Sequence, residues 1–229
     1  MGMAIFTKSG FFDPTSRNLN VGDTVDVVVV GGGQGGVASG SGYAGNGGSS
    51  SFGTEVTARG GGAATSTWSI NGGGFTFPTF GYNTGASEEN SQRLYGSGSG
   101  YSAAYRADKW HYGAAGWGAG GGHADSDATG SAGEVIFGSV TLTSLDKIPV
   151  TVGGGGGGGS HSYYSSGRDA SGADGTSSGG GAGGATNLST GGAGGYDMSP
   201  GGNAIASGNS DQYGIAGGGG AGGVVIVFW

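Results

Sequence analysis

The chain is 229 residues long with 63 glycines, four prolines and no cysteine, and 10% of its residues are charged. So few charges argue against ordinary disorder, irregular glycine clusters with little proline exclude collagen, and the lack of cysteine removes disulfides, thiolate metal sites and cysteine nucleophiles together. A net charge of -7 repels a phosphate backbone, so no nucleic acid partner is expected; with no apolar run of about 20 residues and no secretory leader pattern, the expectation is a soluble chain without membrane insertion or Sec export.

In chain order, Ile5 to Phe12 leads into the first clear strand, Thr24 to Val30, which abuts Gly31-Gly32-Gly33. Ser87 to Leu94 is the best helix candidate at barely two turns, and glycine costs about 1 kcal/mol against alanine in a helix interior, so almost no α-helix is expected. Glu134 to Phe137, Val140 to Leu142 and Ile148 to Val152 read as further strands, with Leu145-Asp146-Lys147 as a turn, and Val224 to Trp229 closes the chain. All are rich in the β-branched residues that strands favour.

Glycine tracts recur at 31–36, 60–62, 72–74, 118–122, 153–159, 179–184, 191–195 and 217–223, three of them running straight out of or into a strand. A lone extended glycine tract has no reason to be ordered. Several together can bond laterally, because a polyglycine-II conformation turns every N–H and C=O outward and no side chain keeps the backbones apart. The reading is therefore one mainly β domain over 1–229. A small β core drawn from about 21–30, 134–152 and 224–229 is joined to a packed bundle, or sandwich, of polyglycine-II-like strands, with loop insertions at 75–117, 160–178 and 196–214.

The loops concentrate aromatics, above all from Phe75 to Trp117 and at His161 to Tyr164. Tyrosine and tryptophan among serine, glycine and asparagine have the composition of binding loops, where rigid rings give contact area at small entropic cost. Tyr101, Tyr105, Trp110 and Tyr112 with Arg106, Lys109 and His111, together with Tyr163 and Tyr164, are the candidate receptor-binding residues, because rings beside cations suit sugars and anionic surface groups. The competing reading makes the same rings caps on a glycine bundle that is short of apolar side chains.

Motifs for catalysis and cofactors are weak. Gly31 to Gly36 follows a strand like a phosphate loop but lacks the Gly-Lys-Ser/Thr and a following helix. Asp125, Asp127 and Gly130 begin like a calcium loop without the closing glutamate, so a solvated turn is the simpler reading. His111, His123 and His161 are far apart in sequence, no nucleophile elbow is present, and Glu88 and Glu89 are adjacent rather than opposed as a glycosidase pair requires. No enzyme activity, cofactor or metal is expected.

Gly22 to Gly33, Ile148 to Gly154 and Gly222 to Val227, each a valine-rich strand joined to glycines, resemble the glycine-rich domains of bacteriophage tail fibre and minor tail proteins. The chain is also similar to the receptor-recognising adhesins at the tail fibre tips of T-even phages. The resemblance implies a virion protein, made in the host cytoplasm and assembled with other tail chains, whose loops touch an outer-membrane protein or glycan of the bacterial surface. The alternative is a structural or decoration protein of a virion or filament that self-associates through strand edges.

Overall fold

The structure, a computed structural model, describes residues 1–36, 44–62, 117, 118, 120, 130–158 and 219–229 in full, and describes eight further short strands by backbone alone. In chain order the strands are β1 (Met3–Phe6), β2 (Gly10–Phe12), β3 (Thr24–Val30), β4 (Ser50–Phe52), β5 (Val56–Ala58), β6 (Phe75–Thr76), β7 (Gly81–Tyr82) and β8 (Tyr101–Ala103). They continue as β9 (Trp110–Tyr112), β10 (Val135–Thr141), β11 (Ile148–Thr151), β12 (Ser160–Ser162), β13 (Ser189–Thr190), β14 (Ile205–Ala206), β15 (Gly214–Ala216) and β16 (Val224–Phe228). The chain is mainly β, and one 3-10 turn at Thr15–Arg17 is the sole helical element among the described residues. The best helix candidate, 87–94, lies outside them.

Two antiparallel sheets face each other, in the orders β1-β16-β3-β10 and β2-β11-β4-β5. The pleat of β3 explains why they stack: Val25, Val27 and Val29 point one way, into a core with Phe12, Phe52, Val56, Val150, Val225 and Val227. Burying these side chains supplies roughly 1.5–3 kcal/mol each. The segments expected as separate strands at 134–137 and 140–142 form the single strand β10, carried through Gly138 and Ser139 by pairing with the whole of β3. Residues 142–147 therefore cross from one sheet to the other rather than closing a hairpin.

The end of the sandwich away from the glycine segments, its base, is closed by an aromatic cluster. Phe12 meets Phe52 and Trp229 edge-on at 5.6 and 5.7 Å, and the Arg17 guanidinium lies 4.4 Å from the centre of the Phe12 ring and 5.1 Å from Trp229. The Gly2 N–H donates to the Trp229 carbonyl and the Trp229 N–H to the Gly2 carbonyl, at 2.6 and 3.1 Å, which holds residues 2 and 229 together at this base.

At the other end, six strands continue into glycine-containing segments. Those at 31–36, 59–62 and 153–158 run out from β3, β5 and β11, and those at 44–49, 130–134 and 219–223 run in to β4, β10 and β16. In 31–36, Gly31 and Gln34 donate to Glu134 and Ser131, while Gly32 and Gly35 donate to Gly48 and Gly45, and Gly33 donates to Ala221, all at 2.8–3.0 Å. Donors three apart thus address the same neighbour, and the acceptors step back by three, so these partners run antiparallel.

Around 31–36 the other segments form a closed ring. Gly61 and Gly156 donate to the carbonyls of Gly32 and Gly33, and Gly118 approaches so closely that a Cβ on it would fall 2.4 Å from the Gly31 oxygen. Ring neighbours bond in turn: Gly47 to Gly61, Gly48 to Gly154, Gly220 to Gly156, Gly118 to Gly222, Gly133 to Gly118 and Glu134 to Arg59. At about 0.5–1.5 kcal/mol net each, such bonds roughly match the 1–2 kcal/mol of entropy lost per ordered residue, so the bundle depends on the apolar sandwich beneath it.

Candidate recognition surface

The chain leaves the bundle at its free end after residues 36, 62 and 158 and comes back into it there at 44, 130 and 219; between 62 and 130 it also returns at Trp117 and Gly118, beside Val30, Gly31 and Gly222 where the bundle meets the sandwich, and at Gly120. Ser160, which opens β12, follows Gly158 by two residues, and Ala216, which ends β15, precedes Gly219 by three. With consecutive Cα atoms about 3.8 Å apart, these strands begin within roughly 8–11 Å of the bundle end.

There β12, β15, β8 and β9 form a third antiparallel sheet in that order. Ser160 pairs with Ala216, Ala216 with Ala103, and Ala103 with Trp110, in one row across all four strands. In β8 and β9 Tyr101 stands opposite Tyr112 and Ser102 opposite His111, while His161 on β12 stands opposite Ile215. Four of the candidate residues, Tyr101, Trp110, His111 and Tyr112, are thereby brought to adjacent strands of one sheet. Tyr105, Arg106, Lys109, Tyr163 and Tyr164 lie outside the described residues, as do Asp125, Asp127 and the tracts at 72–74, 179–184 and 191–195.

Trp117 departs from the expectation that placed it at the end of an aromatic loop. It is 7% exposed and packs on Val28, Val30, Val224 and Ile226, the apolar outer face of the sheet containing β3. That face continues valine into a position where a solvated sheet would carry polar residues, and the indole covers it. For this one ring the core reading is correct. Segments 44–49 and 130–134 were also missed, because Asn46, Ser131, Ala132 and Glu134 break their glycine content. Their readable signal is glycine three apart, Gly45 with Gly48 and Gly130 with Gly133, the spacing at which positions return to one neighbour.

Among the described residues no three histidine or acidic side chains gather as a metal site. No described helix is long and apolar enough to cross a membrane. Ser50, fully buried where the sandwich meets the bundle, accepts the Gly153 N–H at 3.0 Å, so the polar atoms at this junction satisfy a backbone donor rather than present chemistry to a ligand. Comparison of the chain with family models, with curated proteins and with solved structures returns no match.

Proposed function

We propose that this chain is a non-enzymatic, glycine-scaffolded adhesin module of a bacteriophage tail fibre or tail tip, which binds a bacterial surface receptor through aromatic loops. The observation that carries the reading is the polarity of the chain: residues 2 and 229 meet at the base of the sandwich, while all long excursions leave from the opposite end of the bundle. Such a layout suits a spacer that is held at one pole and recognises at the other. The proposal includes a polyglycine-II packing of the bundle, supported by the three-residue recurrence of donors along 31–36 and by the six segments ringed about it.

The reading places Tyr101, Tyr105, Arg106, Lys109, Trp110, His111, Tyr112, Tyr163 and Tyr164 at the receptor, an outer-membrane protein or glycan, and the protein in the virion. Purified protein is expected to bind host cells, and Tyr105→Ala with Trp110→Ala to abolish binding while leaving the circular dichroism unchanged. Undiminished binding by that variant contradicts it. A second reading, a structural virion or filament protein that self-associates, draws on the apolar side chains of Ile5 and Phe137, which are exposed on the two outer strands of the first sheet. Labelled virions imaged by electron microscopy separate a tip from a shaft or shell location.

A further inference from the structure

Two strands end their sheets on the same side of the sandwich, β10 in one and β5 in the other. Next to the bundle their extensions are tied: the Glu134 N–H donates to the Arg59 carbonyl at 2.8 Å, and the Glu134 carboxylate accepts the Arg59 N–H at 2.9 Å. Below this tie the edges diverge and leave a cleft of about 900 Å³ between β10, the β4–β5 turn and the 142–149 connection. Its floor is apolar, from Ile136 and Val140 of β10, Val56 of β5 and Ile148 of β11.

The edge of β10 that borders the cleft has open backbone groups. Glu134 accepts from Gly31 and Leu142 donates to Asp23, so the even positions between them exchange bonds with β3 and the odd positions face outward. The backbone groups of Ser139 and Thr141 receive no bond there from any described residue. Seven-residue β10 contains no proline, lysine or arginine, the devices by which an exposed edge is normally blocked. The rim is acidic: Lys147 is engaged by Asp13 at 3.5 Å, which leaves Glu55 and Asp146 as the rim's remaining charges.

We propose that this cleft is a strand-acceptor site, in which an extended segment of another protein adds to the edge of β10. The backbone edge selects a strand, the floor selects apolar side chains at alternate positions, and the acidic rim selects a flanking lysine or arginine. A second copy of this chain is a poorer occupant, since it presents its own β10 with the β4–β5 turn standing beside it and so leaves the cleft unfilled. The inference rests on the sandwich alone and is independent of what the distal loops bind. It gives the base of the molecule a means of attachment.

The test uses the full chain and, as probe, a synthetic peptide of alternating valine and threonine flanked by lysines. The expected result is saturable binding that slows amide exchange at Ser139 and Thr141. Ser139→Pro, which removes the outward N–H together with the hydroxyl that bonds Asp26 of β3, should weaken binding at least tenfold, whereas Ser139→Ala, which removes the hydroxyl alone, should not. Should the proline variant fold poorly, Glu55→Lys with Asp146→Lys, both at exposed positions, should weaken the lysine-flanked peptide severalfold and favour a glutamate-flanked one. Absence of binding, binding indifferent to these variants, or sedimentation showing that the free chain dimerises through β10 overturns the proposal.

Discussion

Replacing Gly32 by alanine tests whether the bundle is held by backbone contact. A Cβ there would stand 2.1 Å from the Gly154 oxygen and 2.7 Å from its carbonyl carbon, both backbone atoms that no rotamer change can move. Ordinary carbon–oxygen contacts begin near 3.3 Å, so the two segments must part by about 1 Å. Gly32 donates to Gly48 at 2.9 Å and accepts from Gly61 at 2.7 Å, and a displacement of that size disrupts both bonds. Leaving such buried groups unsatisfied costs about 1–3 kcal/mol each, against roughly 0.4–1 kcal/mol gained from the stiffer unfolded chain. The net expectation is a loss of about 1–5 kcal/mol, read as a lower urea midpoint at unchanged slope. Gly10→Ala is the control, since nothing lies within 4 Å of its Cβ position; it should be neutral or stabilising. If both variants unfold at the same midpoint as the parent, the glycine requirement is misplaced.

Trp117→Ala should cost about 3–5 kcal/mol in urea unfolding, because it uncovers Val28, Val30, Val224 and Ile226; a loop aromatic would cost next to nothing. Ser50→Ala leaves the Gly153 N–H buried without an acceptor and should destabilise by about 1–3 kcal/mol by the same assay. Arg17→Met should lose about 1 kcal/mol or more of cation–π attraction to Phe12 and Trp229 and shift the tryptophan fluorescence. The Asp13 carboxyl is held below the usual carboxylate range, chiefly by the Thr15 hydroxyl and further by the Ser16 N–H and Lys147. A depressed folded pKa means its contribution is present above the unfolded value and is lost as pH falls through the folded one. Thr15→Val should therefore raise the Asp13 pKa in an NMR titration and shrink the acid-side loss of stability.

The long valine runs were legible because they are apolar on both faces: β3 and β16 feed the inter-sheet core with one set of side chains and the Trp117 cluster with the other. Strands such as Ser50–Phe52 and Val56–Ala58 were not, since three residues give no period to read and their pairing with β11 and with each other decides them. Tracts of consecutive glycine announced the bundle, but which segments join it is set by contact. Gly133 qualifies because a Cβ would fall 2.0 Å from the Gly31 oxygen, whereas its neighbour Ala132 is tolerated on another face of the same turn. The aromatic segment concealed β8 for a related reason: its partner β15 lies more than 100 residues away, and local composition carries no trace of so distant a pairing; β9, paired with β8, is three residues long and again shows no period.

Amide hydrogen exchange resolved by NMR tests the lateral bonding of glycine segments most directly. The amides of Gly32, Gly33, Gly35, Gly48 and Gly156 should be protected to a degree comparable with Val27 and Val29 of β3, and should lose that protection together in Gly32→Ala. Exchange of these glycines within seconds, alongside a protected β3, would mean that the sandwich stands without a bundle above it.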